Sequence, residues 1–100
     1  VISVTNNCNY CKWHHGEALN FYWKNKELIK ELMVNIESFV LPIRQRKLVD
    51  YAVKLTKSPS SVAKSDLNTI KEKGLTDKGI LQLNLLISYF NFVNRMALGT

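Results

Sequence analysis

Asn7-Cys8-Asn9-Tyr10-Cys11-Lys12-Trp13-His14-His15 is the stretch on which the reading of this chain turns. Two cysteines three residues apart suit a thioredoxin-like site, but such a site needs strands around its helix. No alternation of polar and apolar residues runs here for more than a few positions, so strands are not expected. The pair must therefore sit on another scaffold, and the patterning around it is helical. The fold class is all-α, with about five helices in one domain over residues 1–100.

Outward from that stretch, Val1 to Val4 reads as the tail of an earlier element. Asn6 and Asn7 look like an N-cap, since a short amide side chain accepts an orphan amide hydrogen. A helix is predicted from about Cys8 to Tyr22. A second runs from about Lys24 to Phe39, with Leu28, Leu32 and Ile36 on one stripe. Pro42 suits the first turn of a third, which carries Ile43, Leu48, Val49, Ala52, Val53 and Leu55. Pro59 disfavours helical geometry at Ser58, so that helix stops there and a loop covers Ser58 to Ser61. Ser65 caps a short helix from Asp66 to Lys73, which Gly74 ends in the left-handed conformation. Thr76 and Asp77 open the last helix, which reaches about Ala97. Ile80, Leu81, Leu83, Leu85, Leu86, Ile87, Tyr89, Phe90, Phe92, Val93 and Met96 make it apolar almost all round. Such a helix is central in a fold or packed between subunits.

Composition narrows the functional classes. With 46% hydrophobic residues and only four Gly and two Pro, the chain is not disordered. Fourteen Lys and Arg against eight Asp and Glu give a net charge of +6, but the basic residues are dispersed and read as a solvated surface. No apolar run is long enough to cross a membrane. Val1 to Thr5 is neither charged nor long enough for a signal peptide, and the first residue is not Met. The sequence is then processed or begins inside a longer protein. Cytoplasmic location is expected. Asp66 to Leu86 resembles a helix-turn-helix, yet the helix after Thr76 would present leucines rather than bases to a groove. No nucleic-acid or membrane partner is expected.

On a regular helix each residue turns about 100°, which puts Cys11 at about −60° and His15 at about −20° from Cys8, with His14 off that face at about −120°. Cys8, Cys11 and His15 are thus the candidate catalytic residues. In the first turn, unpaired amides and the helix dipole favour a thiolate at Cys8, and His15 can serve as its base. A zinc site would draw three ligands from these residues and lack a fourth. Covalent haem attachment needs His where Lys12 stands. The bland reading is two buried, inert cysteines beside a surface histidine. No metal or cofactor is expected. Tyr10, Trp13, Phe21, Tyr22 and Trp23 cluster nearby, either as pocket wall or, preferably, as core or interface packing. Glu17 and Glu37 read as surface acids.

Cys-x-x-Cys-x-x-x-His at the start of a helix, in an all-helical chain, resembles the AhpD-like alkylhydroperoxidase group of the carboxymuconolactone decarboxylase superfamily. Ser3-Val4-Thr5-Asn6-Asn7-Cys8-Asn9-Tyr10-Cys11 and His14-His15-Gly16-Glu17-Ala18-Leu19 are similar to its "peroxidase-related enzyme" subgroup. So are Asp50-Tyr51-Ala52-Val53-Lys54-Leu55-Thr56 and Ser88-Tyr89-Phe90-Asn91-Phe92-Val93-Asn94-Arg95. The resemblance implies a thiol-dependent peroxidase, an oxidoreductase whose Cys8 and Cys11 cycle between dithiol and disulfide while reducing hydroperoxides. It implies that His15 relays protons, that an external dithiol or protein reductant restores the pair, and that subunits form homo-oligomers, trimers or hexamers. It implies a buried Cys11 that attacks the peroxide or completes the disulfide, and an exposed Cys8 that meets the reductant. The dipole argument favours Cys8 as the more acidic thiol, so the division of roles stays open. The family's relay Glu falls before Val1, as do its upstream helices, which makes this chain similar to the C-terminal part of a longer protein. The alternatives are an oligomeric scaffold or metal-binding protein that uses the Cys/His cluster, and a lactone decarboxylase of the same superfamily, against which the cysteine pair argues.

Overall fold

A computed structural model describes all of residues 1–100. The chain forms six α-helices and no strand: α1 (Ile2–Thr5), α2 (Asn9–Trp23), α3 (Lys26–Val34), α4 (Ile43–Lys57), α5 (Lys64–Glu72) and α6 (Asp77–Gly99). One turn of 3-10 helix, Pro59–Ser61, lies between α4 and α5. The all-α class is as expected. About five helices were expected and six are present, the additional one being the short α1, where the tail of an earlier element was expected. Four residues are too few to hold a helix alone. α1 persists because it packs against α2, α4 and α6.

Local chemistry sets most boundaries. Thr76 Oγ1 accepts the Gly79 amide at 3.1 Å and starts α6 where expected. Gly74, at φ +100°, turns the chain between α5 and α6. Pro42 stands just before α4 rather than inside its first turn. α5 begins at Lys64, two residues earlier than a Ser65 cap requires. Its start is secured by Asp66 instead, whose carboxylate accepts the Ala63 amide at 2.8 Å. That hydrogen bond, together with Lys54 at 2.9 Å, holds the Asp66 carboxyl below its ordinary pKa.

α3 departs further. It runs from Lys26 to Val34, started by Asn25 Oδ1 accepting the Leu28 amide, and stops well short of Phe39. Asn35 Oδ1 accepts the Ser38 amide at 3.3 Å, an alternative to the helical ladder. The Arg46 guanidinium of α4 then donates to the carbonyl oxygens of Ile36 and Phe39, drawing that strand of chain out of helical geometry.

The core lies among the last three helices. Tyr51 and Ala52 of α4, Ile70 of α5, and Ile80 and Ile87 of α6 are buried together. α2 and α3 pair as a second unit, and α1 bridges the two. Only 13 of 100 residues are buried, so polar clamps carry more of the structural definition than in a thick core. α6 turns Ile80, Ile87, Asn91 and Asn94 inward, while Leu81, Leu85, Tyr89, Phe92 and Met96 face outward. No helix is long and apolar enough to cross a membrane.

Candidate active site

The main chain reaches the cysteines through an anchored turn. After α1, Asn7 takes a left-handed backbone at φ +54°. The Cys8 amide then donates to the Ser3 carbonyl at 3.0 Å. Cys8 itself is the N-cap of α2, with extended backbone, and its Sγ accepts the Cys11 amide at 3.4 Å. The expected cap at Asn6 or Asn7 is therefore corrected. Asn6 is drawn elsewhere, its Nδ2 donating to Asn91 Oδ1 at 2.9 Å and to Asn94 Oδ1 at 3.1 Å.

These asparagines form a buried polar network under the cysteine turn. Asn91 Nδ2 donates to Thr56 Oγ1 at 3.0 Å, and Asn94 Nδ2 to Ser3 Oγ at 3.4 Å. Arg95 adds a bond to Asn91 Oδ1 at 3.0 Å. Helices α1, α4 and α6 are thereby tied to the residue two positions before Cys8. Sequence reasoning assigned this network no role. The signal was present: Asn84, Asn91 and Asn94 recur on one face of an otherwise apolar helix, and Asn84 likewise reaches inward, to the Tyr51 hydroxyl at 3.1 Å. Polar groups inside such a helix are seldom placed without partners.

Cys8 and Cys11 are joined as a disulfide, with Cα atoms 5.2 Å apart. Both are buried, at 1% and 3% exposure. The exposed Cys8 that the resemblance implies is corrected: it is buried at the start of α2, where its amide is tied to Ser3 of α1. His15 follows Cys11 by one helical turn and makes no hydrogen bond to either sulfur. Its ring sits edge-on to Phe90 of α6, with centroids 5.0 Å apart. Burial, with a smaller contribution from His14, lowers its pKa below the usual histidine range. A neutral imidazole at pH 7 is the form that can take a proton. His14 lies off this face, stacked edge-on against Tyr10 and Trp13.

His15 lines a cavity of about 200 Å³ between α1, α2 and α3, with Lys12 and Gly16 from its own helix and Leu19, Ile29, Leu32, Met33 and Phe90 around it. The lining is mostly apolar with a few polar groups, as in small-molecule sites. Neither cysteine lines it. Gly16 makes the close approach of α2 and α3 possible, since a Cβ there would overlap the Met33 Cε methyl. Tyr10, Trp13, Phe21, Tyr22 and Trp23 do not wall this cavity and are not core. They face outward, with Phe21 and Tyr22 more than 70% exposed at 74% and 78%. Glu17 and Glu37 are exposed, as expected. No three His, Cys, Asp or Glu side chains converge in an arrangement suited to a metal ion.

The chain is thus all-helical, opens α2 on a joined cysteine pair, and sets His15 one turn on beside an apolar cavity. No family model matches the sequence, and no curated protein does. Two solved structures match it closely. An uncharacterized peroxidase-related protein from Silicibacter sp. TM1040 superposes with a TM-score of 0.93 at 29% identity, over 99% of this chain and 52% of that one. An alkylhydroperoxidase AhpD core, an uncharacterized peroxidase-related protein from Ralstonia eutropha JMP134, gives 0.83 at 30% identity, over 97% of this chain and 52% of that one. The likeness covers nearly the whole chain, whose fold is that of these AhpD-like peroxidase-related proteins. The chain spans about half the length of each.

Proposed function

We propose that Cys8 and Cys11 form a redox dithiol that reduces hydroperoxides, with His15 moving the protons. The observation that carries this reading is the disulfide at the N-terminus of α2, with His15 of the same helix lining an apolar cavity. A disulfide between residues three apart constrains little unfolded chain, so stability is a weak reason for its presence. In the reduced protein, a Cys8 thiolate would keep the Cys11 amide and the positive end of α2 as its stabilising partners.

The cycle balances as follows. A thiolate attacks the terminal oxygen of the hydroperoxide, the O–O bond breaks, and the alkoxide takes a proton delivered by His15 to leave as alcohol. The sulfenic acid condenses with the second thiol, releasing water and restoring the disulfide. An external dithiol or protein reductant returns the pair to the dithiol by exchange. Because both sulfurs are buried, the Asn6–Cys8 turn has to open for peroxide and reductant to reach them. A homo-oligomer that covers the outward face of α6 and acts in a reducing compartment such as the cytoplasm fits this reading. So does a longer protein whose further helices supply a carboxylate to the relay.

Thiol counting with intact mass tests the proposal. Reduced protein should lose both thiols after one equivalent of organic hydroperoxide and regain them with dithiothreitol. Survival of both thiols, or over-oxidation of each without pairing, would sink it and leave a structural disulfide on a scaffold.

A further inference from the structure

We infer that Met33 is a second peroxide-reactive site, where a hydroperoxide held in the α1–α2–α3 cavity transfers an oxygen atom to the thioether. Met33 is half-buried and lines the cavity together with His15, Ile29 and Leu32. Its methyl packs against the bare backbone of Gly16, which fixes the thioether at the cavity wall. An organic hydroperoxide whose apolar body lies against Ile29 and Leu32 brings its peroxide group to the cavity that the thioether lines.

The step is complete in itself. A sulfur lone pair attacks the terminal peroxide oxygen and the O–O bond breaks. The hydroperoxide's own proton passes to the departing oxygen, giving the alcohol. Sulfur is oxidised by two electrons and the peroxide is reduced by two. The product is methionine sulfoxide, a polar side chain in place of an apolar one. Set beside Ile29 and Leu32, the new oxygen makes an apolar wall polar, which weakens binding of the next apolar hydroperoxide. Exposure to excess substrate thus closes the cavity chemically, and sulfoxide reduction reopens it.

The inference rests on reading this cavity as the hydroperoxide site but not on turnover of the cysteines. The test therefore uses the full chain in its disulfide form, in which neither sulfur is free to react. The chain has two methionines. Met96 is 55% exposed on α6, outside the cavity, and is the internal reference. Peptide mass spectrometry follows the gain of one oxygen at each methionine during treatment with cumene hydroperoxide or with hydrogen peroxide. Hydrogen peroxide has no apolar body to bind, so exposure governs and Met96 oxidises first. With cumene hydroperoxide the order inverts, Met33 leading by about tenfold, the factor that ~1.4 kcal/mol of binding provides. Met33→Leu, close in volume, keeps the fold and loses the signal from that peptide. An order of oxidation that is the same for both oxidants overturns the inference. Thiol counting on the reduced protein stands or falls separately.

Discussion

Replacing Asn94 with Ala offers a direct measure of what secures the cysteine turn. Asn94 is wholly buried at 0% exposure. Its Oδ1 accepts from Asn6 at 3.1 Å and its Nδ2 donates to Ser3 Oγ at 3.4 Å. The substitution removes both bonds, at about 1 kcal/mol each, and leaves the buried Ser3 hydroxyl without that partner. Lost packing of the amide brings the expected destabilisation to about 2–3 kcal/mol. In urea, with a slope of roughly 1–3 kcal/mol per M, the midpoint should fall by about 1–2 M. The assay is equilibrium unfolding of the disulfide form by circular dichroism, for Asn94→Ala, Asn6→Ala and the double variant. Asn6 keeps its bond to Asn91 in the first variant, so the cycle isolates the Asn6–Asn94 term. A coupling of about 1 kcal/mol is expected. Additivity of the two substitutions would refute the clamp, whatever the size of the single effects.

Three further outcomes can be checked separately. In the single variants Cys11→Ser and Cys8→Ser, the Cys8 thiol should alkylate with the lower pH midpoint, because the α2 amides and dipole act on Cys8 more directly; equal midpoints would remove the N-cap argument. Gly16→Ala should displace the Met33 methyl, cost about 1 kcal/mol, and weaken binding of an apolar fluorescent probe in the cavity; an unchanged affinity would mean that the probe binds elsewhere. His15 has a folded pKa below its unfolded value of about 6.5, so the unfolded state binds more protons between those two values. Stability from this residue is then fully present above about 6.5 and falls as pH drops toward the folded pKa. His15→Gln should flatten that part of the profile in urea midpoints taken from neutral to mildly acidic buffer, and an NMR titration of His15 should place its midpoint below the ordinary histidine value of about 6.5.

The sequence made the local signals legible and hid the long-range ones. Thr76, Gly74 and Pro59 mark their boundaries by chemistry that acts within a turn, and each does so in the structure. Asn6 and Asn7 carry the same kind of local signal as capping residues, yet Asn6 is claimed by Asn91 and Asn94 from the far end of the chain. The end of α3 moved for a similar reason, since Arg46 competes for carbonyl groups that local pattern assigns to the helix. At the site, helical phase put Cys8, Cys11 and His15 on one face, whereas Cys8 is an extended N-cap outside the helix, joined to Cys11 as a disulfide. The cavity was not legible, because its walls come from four helices, and the nearby aromatic cluster, expected as core or interface packing, is not core and lies on the surface of the chain.

The ties between Asn6 and Asn91, and between Asn6 and Asn94, span 85 and 88 positions. Contacts of such separation form late, because closing the intervening loop has an entropic cost that only the rest of the fold can offset. The cysteines emerge during synthesis well before α6, and their turn is not locked until α6 has been made through Asn94. Until then the two sulfurs are held only by the local geometry of a helix start, open to whatever thiols and oxidants surround the growing chain. The redox state in which this pair enters the finished fold is therefore set by its surroundings before the fold can enclose it.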